Sequence, residues 1–178
     1  MFPTSTEIKL GQLRLCFRDQ VRDFLDRLKT AGIRYIIGEA LRSEQREWEL
    51  WVSGRQCGDE SRKGDPFAWV VVNKKGVKTN VPPGSGKGPH PFGLAIDIYP
   101  ADENGQIMRD DHPLFISTMK KMHTLAEACG IDALGSNNKA HKACDQYASW
   151  DPSHYQFCGW FLLVEKERQI RQAAASQA

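Results

Sequence analysis

The chain has 178 residues, 40% hydrophobic and 26% charged, with a formal net charge of +2. That composition is ordinary for one soluble globular domain able to bury a real core. The small positive charge is too weak to indicate a nucleic-acid partner, and none is expected.

There are five cysteines, with no Cys-x-x-Cys among them. An odd number without close pairing suggests neither a disulfide framework nor a cysteine zinc site, so reduced thiols are expected. The N-terminus lacks a charged start followed by an apolar run, so the expected place of synthesis is the cytoplasm. No stretch approaches the ~18 apolar residues of a membrane span, so no stable membrane insertion is expected.

Thr4-Ser5-Thr6-Glu7 fits a capping box. Leu10, Leu13, Phe17, Val21, Phe24, Leu25 and Leu28 follow at three- and four-residue spacing, which predicts one amphipathic helix ending at Ala31-Gly32. Ile33 to Ile37 is β-rich and reads as a strand. It leads to Arg42 and Ser43, and Ser43 is placed to cap a second helix that carries Trp48, Leu50, Trp51 and Val52. Residues 56 to 66 are polar and glycine-rich, a surface loop. Phe67 to Val72 fits a strand or the end of a short helix, and the pattern leaves both open. Val77 to Val81 reads as a short extended piece.

The run 82 to 89 is too rich in proline and glycine for regular structure. It delivers His90. Leu94, Ile96 and Ile98 then alternate with Ala95, Asp97 and Tyr99, the period of a half-buried strand with its aliphatic set toward the core. Asp111-His112-Pro113 begins a helix by the first-turn proline rule, with Leu114, Phe115, Met119, Met122, Leu125 and Ala126 as its stripe and Gly130 as its stop. Ile131 to Leu134 fits a short strand, 135 to 149 an irregular polar loop, His154 to Phe157 a strand, and Phe161 to Ile170 a helix. The tail 171 to 178 is expected to fray.

His90 and Asp97 lie seven apart, which on a regular strand would point them to opposite faces. They converge only if the chain bends, and Pro91-Phe92-Gly93 supplies the bend. Imidazole and carboxylate are both good zinc ligands. His154, just after Asp151-Pro152-Ser153, is the best third ligand among the remaining histidines. His112 sits at a helix start, His123 lies on a helix whose stripe is already filled, and His141 lies in a polar loop. A catalytic zinc site wants three protein ligands, an open position and a nearby carboxylate, here Asp151. Spacing alone leaves open that His90 and His154 are hydrogen-bonded structural histidines and Asp97 a buried turn acceptor.

The run from Gly88 to Ile98 resembles the Ser-x-His-x-x-Gly-x-Ala-x-Asp signature of the D-alanyl-D-alanine carboxypeptidase and L-alanyl-D-glutamate endopeptidase family of zinc peptidases. Asp151-Pro152-Ser153-His154-Tyr155 looks like its later acidic-x-x-His-aromatic signature. Leu41-Arg42-Ser43, with Leu50-Trp51 and Gly54-Arg55, looks like its upstream block. The blocks keep the family's order and span residues 41 to 157.

The resemblance implies an α+β fold of the hedgehog and DD-peptidase type, with helices packed on a small, mostly antiparallel sheet. It implies His90, Asp97 and His154 as Zn2+ ligands, Asp151 as the catalytic base and acid, and Arg42 as the substrate-binding arginine. It implies a single catalytic domain over 1–178, with a core of about residues 5–165 and a helical tail at 166–178, acting as a monomer. The implied substrate is bacterial peptidoglycan. The implied activity is an L-alanyl-D-glutamate endopeptidase of phage endolysin type, made in the host cytoplasm and reaching the cell wall after release. Two alternatives stand beside it: a D-Ala-D-Ala carboxypeptidase or dipeptidase, and a zinc-bearing cell-wall binding module without hydrolysis. The sequence departs from the family at Gly88, where the family has serine, at Glu47, where it often has glutamine, and in the longer loop 135–149.

Overall fold

The computed structural model describes residues 4–74, 78, 82–83, 88–109, 111–133 and 153–175. The N-terminal amphipathic stretch forms two helices, α1 (Ser5–Gly11) and α2 (Leu15–Thr30). Thr4 caps α1 as its sequence suggests, its hydroxyl accepting from the Glu7 amide at 3.2 Å. The expected single helix is interrupted at Gln12–Arg14 for a tertiary reason. The Arg14 amide donates to the Gly93 carbonyl at 3.0 Å, and Arg14 takes extended backbone angles ahead of α2. The break lets Leu13 join the core and seats the chain against the turn that carries His90.

β1 (Tyr35–Ile37) follows α2. Ser43 caps α3 (Glu44–Val52), its hydroxyl accepting from the Arg46 amide. β2 (Arg55–Cys57) pairs antiparallel with β3 (Trp69–Val71) as a separate two-stranded sheet. The ambiguous run at Phe67 divides between both options: Pro66–Ala68 is a 3-10 turn and Trp69 opens the strand. Of the extended piece expected at 77–81 only Lys78 is described, and the loop at 135–149 lies outside the described residues.

The central sheet is formed by β1, β4 (Ala95–Pro100), β6 (His154–Phe157) and β5 (Ile131–Ala133), in that order. Each neighbouring pair is antiparallel. The fold is therefore α+β with an antiparallel sheet, as expected. α4 (Phe115–Glu127) starts at Phe115 rather than at Pro113, and Leu114 stays exposed instead of joining the stripe. The Leu114 amide is taken by His112 Nδ1 at 3.2 Å, so the expected cap closes a turn ahead of the helix. α5 (Trp160–Ala175) runs past Ile170 into the stretch expected to fray. It holds no glycine or proline, and its last residues include strong helix formers.

One face of the sheet is the core. Leu94, Ile96, Ile98, Ile131 and Tyr155 meet Phe17, Val21, Phe24 and Leu28 of α2 and Met119, Met122 and Ala126 of α4. Tyr155 packs at 5.1 Å between ring centroids on Phe24 and at 5.9 Å edge-on against His123. Strand alternation then turns Asp97, His154 and Gln156 to the opposite face.

Cys16, Cys57 and Cys129 are free thiols. Cys158 is disulfide-bonded, which corrects the expectation of reduced thiols throughout. Pairing is decided by tertiary proximity, and cysteine spacing carries no signal of it. Among the described residues no helix is long and apolar enough to cross a membrane.

Candidate metal centre

His90 opens a 3-10 turn, His90–Phe92, which ends at Gly93 with φ +65°. The turn is the bend that the seven-residue spacing requires. The Gly93 amide donates back to the His90 carbonyl at 3.0 Å, and the Leu94 amide donates to the Pro89 carbonyl at 3.2 Å. β4 then carries Asp97 into direct register with His154 on β6. Two of the three side chains are thus placed by strand pairing and the third by the turn.

Three donor atoms meet. His90 Nε2 lies 3.2 Å from Asp97 Oδ1, His154 Nδ1 lies 3.3 Å from the same oxygen, and the two ring nitrogens are 3.2 Å apart. All three residues are buried. Zinc–ligand distances of 2.0–2.1 Å in a tetrahedron imply an edge of about 3.3 Å between ligand atoms. The triangle has the size of one tetrahedral face.

The protons support the same conclusion. His90 Nδ1 lies 3.2 Å from the Ala40 carbonyl. A carbonyl only accepts, so Nδ1 carries the hydrogen and Nε2 faces the centre with its lone pair. Asp97 Oδ1 is buried without a hydrogen-bond donor. An ionised buried oxygen converging with imidazole nitrogens is a set that a cation satisfies. The residues fit a zinc ion.

The loop from Gly38 to Arg42 frames the centre. The Glu39 carbonyl accepts from the Asp97 amide at 2.8 Å, and the Gly38 amide donates to the Asp97 carbonyl at 2.7 Å. A Cβ on Gly38 would stand 2.8 Å from Tyr99 Cε2 and 3.3 Å from Asp97 Cβ, so a larger residue there would have to push the Tyr99 ring aside. Arg42 reaches toward the centre, with its terminal nitrogen 3.9 Å from Asp97 Oδ2. Its Nε donates to Glu39 Oε2 at 2.9 Å, and Arg46 donates to Glu39 Oε1 at 2.6 Å.

The structure therefore brings His90, Asp97, His154 and Arg42 together. Asp151 lies outside the described residues. Sequence reasoning missed Glu39, which orients Arg42, and the pair Gln156 and Asp132 beside His154. Gln156 could have been found by strand parity, since it shares a face with His154. Glu39 and Asp132 have no local signal.

No protein-family model and no curated protein matches the sequence. Solved structures do. The LD-carboxypeptidase LdcB aligns with a TM-score of 0.51 at 20% identity, over 87% of this chain and 64% of its own. The vancomycin-resistance D,D-pentapeptidase VanY, in complex with Zn(II), aligns at 0.53 and 17% identity, over 86% of this chain and 78% of its own. The L-Ala D-Glu endopeptidase ChiX of Serratia marcescens aligns at 0.50 and 14% identity, over 88% of both chains. This chain shares their fold. It spans 64% of the LdcB chain's length.

Proposed function

We propose that the protein is a zinc-dependent peptidase that hydrolyses the stem peptides of bacterial peptidoglycan. The observation that carries this is the triangle of His90 Nε2, Asp97 Oδ1 and His154 Nδ1, with edges of 3.2, 3.2 and 3.3 Å, on a fold shared with VanY and ChiX. Bound zinc would supply a Lewis acid for the scissile carbonyl and lower the pKa of attacking water. His90, Asp97 and His154 hold it. Arg42, kept in place by Glu39, aims a permanently charged fork toward the same point, suited to a carbonyl oxygen that gains charge or to a substrate carboxylate. Asp151 takes the proton of the attacking water and returns it to the leaving amine.

Within this reading the bond cut is L-alanyl-D-glutamate, and the protein is a phage endolysin that works as a monomer on the wall after release from the cytoplasm. The sequence blocks around Arg42, His90 and His154 support the peptidase family as a whole, and the likeness to the L-Ala D-Glu endopeptidase ChiX favours this bond within it. A second reading, a D-Ala-D-Ala carboxypeptidase, is favoured by the likeness to VanY, a structure of which holds D-alanine-D-alanine. Digestion of purified peptidoglycan, with products resolved by mass, separates the two. Release of stems cut after L-alanine is the expected result, and loss of a terminal D-alanine alone would overturn it. His154→Ala should lose zinc and activity together. Asp151→Ala should keep zinc and lose about 10²–10⁴-fold in turnover. Normal cleavage by Asp151→Ala would remove that residue from the mechanism.

A further inference from the structure

β6 places Gln156 two residues beyond His154 on the same face, and register sets Gln156 opposite Asp132 of β5. Both side chains are buried, each with 4% exposure. Gln156 Nε2 donates to Asp132 Oδ2 at 2.8 Å, and Gln156 Oε1 lies 3.3 Å from His154 Nε2. The three groups form one line leading into the metal centre.

We propose that Asp132 and Gln156 are positioning residues that set the tautomer of His154 and so decide which of its nitrogens can bind metal. A carboxylate accepts hydrogen bonds and does not donate them. Asp132 therefore turns the amide nitrogen of Gln156 toward itself. The amide oxygen must then face His154, and an amide oxygen also only accepts. His154 meets it with a hydrogen on Nε2. Nδ1 is left with its lone pair, and Nδ1 is the atom that stands 3.3 Å from Asp97 Oδ1 and 3.2 Å from His90 Nε2. If the amide were reversed, its NH2 would face Nε2, the ring hydrogen would move to Nδ1, and the third ligand position would hold a hydrogen. The Ala40 carbonyl does for His90 in one step what Asp132 and Gln156 do for His154 in two. Outer partners of metal-bound imidazoles typically control affinity in this way.

The inference rests on the reading of His90, Asp97 and His154 as a metal centre, and the test separates the two. In the metal-free protein, 15N chemical shifts of His154 should report hydrogen on Nε2, where Gln156 Oε1 accepts it, and an Nε2 without hydrogen would overturn the proposal whether or not zinc binds. Zinc affinity, measured by competition with a chromophoric chelator, should fall about 10- to 100-fold in Gln156→Met, which keeps the length of the side chain and removes both polar atoms. The pair Asp132→Asn with Gln156→Glu keeps the direction of donation, because an amide at 132 gives to a carboxylate at 156, which accepts from His154. That double variant should bind zinc within about threefold of the unaltered protein. Unchanged affinity in Gln156→Met, or a double variant as weak as Gln156→Met, would sink the idea. Failure of the unaltered protein to bind zinc would instead overturn the metal centre and leave the 15N result to judge the relay.

Discussion

Gly93 carries two constraints at one backbone position. Its φ of +65° lies in the left-handed region, and a Cβ there would stand 2.7 Å from the Gln12 carbonyl oxygen and 3.2 Å from the Arg14 amide nitrogen. The first constraint costs an ordinary residue about 1–2 kcal/mol, and the second adds a clash with backbone that has no rotamer to escape into. Gly93→Ala should therefore destabilise the fold by about 2–5 kcal/mol, read from the urea midpoint at unchanged slope. A loss under about 1 kcal/mol would mean that the N-terminal segment is free to withdraw from the turn. The same residue explains why His90 and Asp97 converge. Gly93 reverses the chain between them, and the reversal is locked by the N-terminal segment rather than by the turn alone.

At the scale of elements, α3 is tied to the metal centre through Glu39. Burial alone would raise the Glu39 carboxyl, but hydrogen bonds from Arg46 and Arg42 outweigh it and hold it below the ordinary glutamate value of 4.5. A depressed folded-state value means that the bonds stabilise the fold above the unfolded pKa and are lost as pH falls through the folded one. Glu39→Gln should cost about 1 kcal/mol at pH 7, since the cluster is partly exposed and screened. The difference between the two proteins should shrink below pH 4.5 as the parent's carboxyl protonates. A difference that stays constant from pH 7 to pH 3 would deny the charge-assisted bonds their part.

Much of this scale was legible in the sequence. The alternation at Leu94, Ile96 and Ile98 marked the strand and its buried face, Thr4 and Ser43 marked their caps, and the block around His90 marked the bend. Each is a local pattern. The break at Gln12 was barely legible, because Gly11 weakens a helix without stopping it while the apolar spacing runs on through Leu13 and Phe17. It is imposed by the Gly93 carbonyl from 79 residues away by the numbering of the two partners, Arg14 and Gly93. Likewise Gln156 was visible only through parity with His154, and Asp132 only through the register of β5 on β6.

For the whole molecule, Arg14 joins parts that are far apart in the chain. Its amide holds the Gly93 carbonyl, and its Nε donates to the Phe92 carbonyl at 3.0 Å. Its two terminal nitrogens grip both oxygens of Glu167 on α5, the second at 2.8 Å. One residue thus fastens the C-terminal helix, the start of α2 and the turn that presents His90. A forked arginine is suited to this, since it gives parallel bonds to a carboxylate while a third donor remains for a carbonyl. The pair is about one-third exposed on each side, so the ion pair itself is screened. The consequence is an asymmetry. Glu167→Gln should loosen only the docking of α5 and cost about 0.5–1 kcal/mol. Arg14→Gln should lose that and the bond to Phe92, for a total of about 1–3 kcal/mol. A double-mutant cycle on urea midpoints isolates the shared part, and the excess of Arg14→Gln over it measures the hold on the turn. Zinc affinity should follow the excess, falling in Arg14→Gln and staying unchanged in Glu167→Gln. Equal stability losses with complete coupling would mean that Arg14 serves α5 alone and that the turn stands without it.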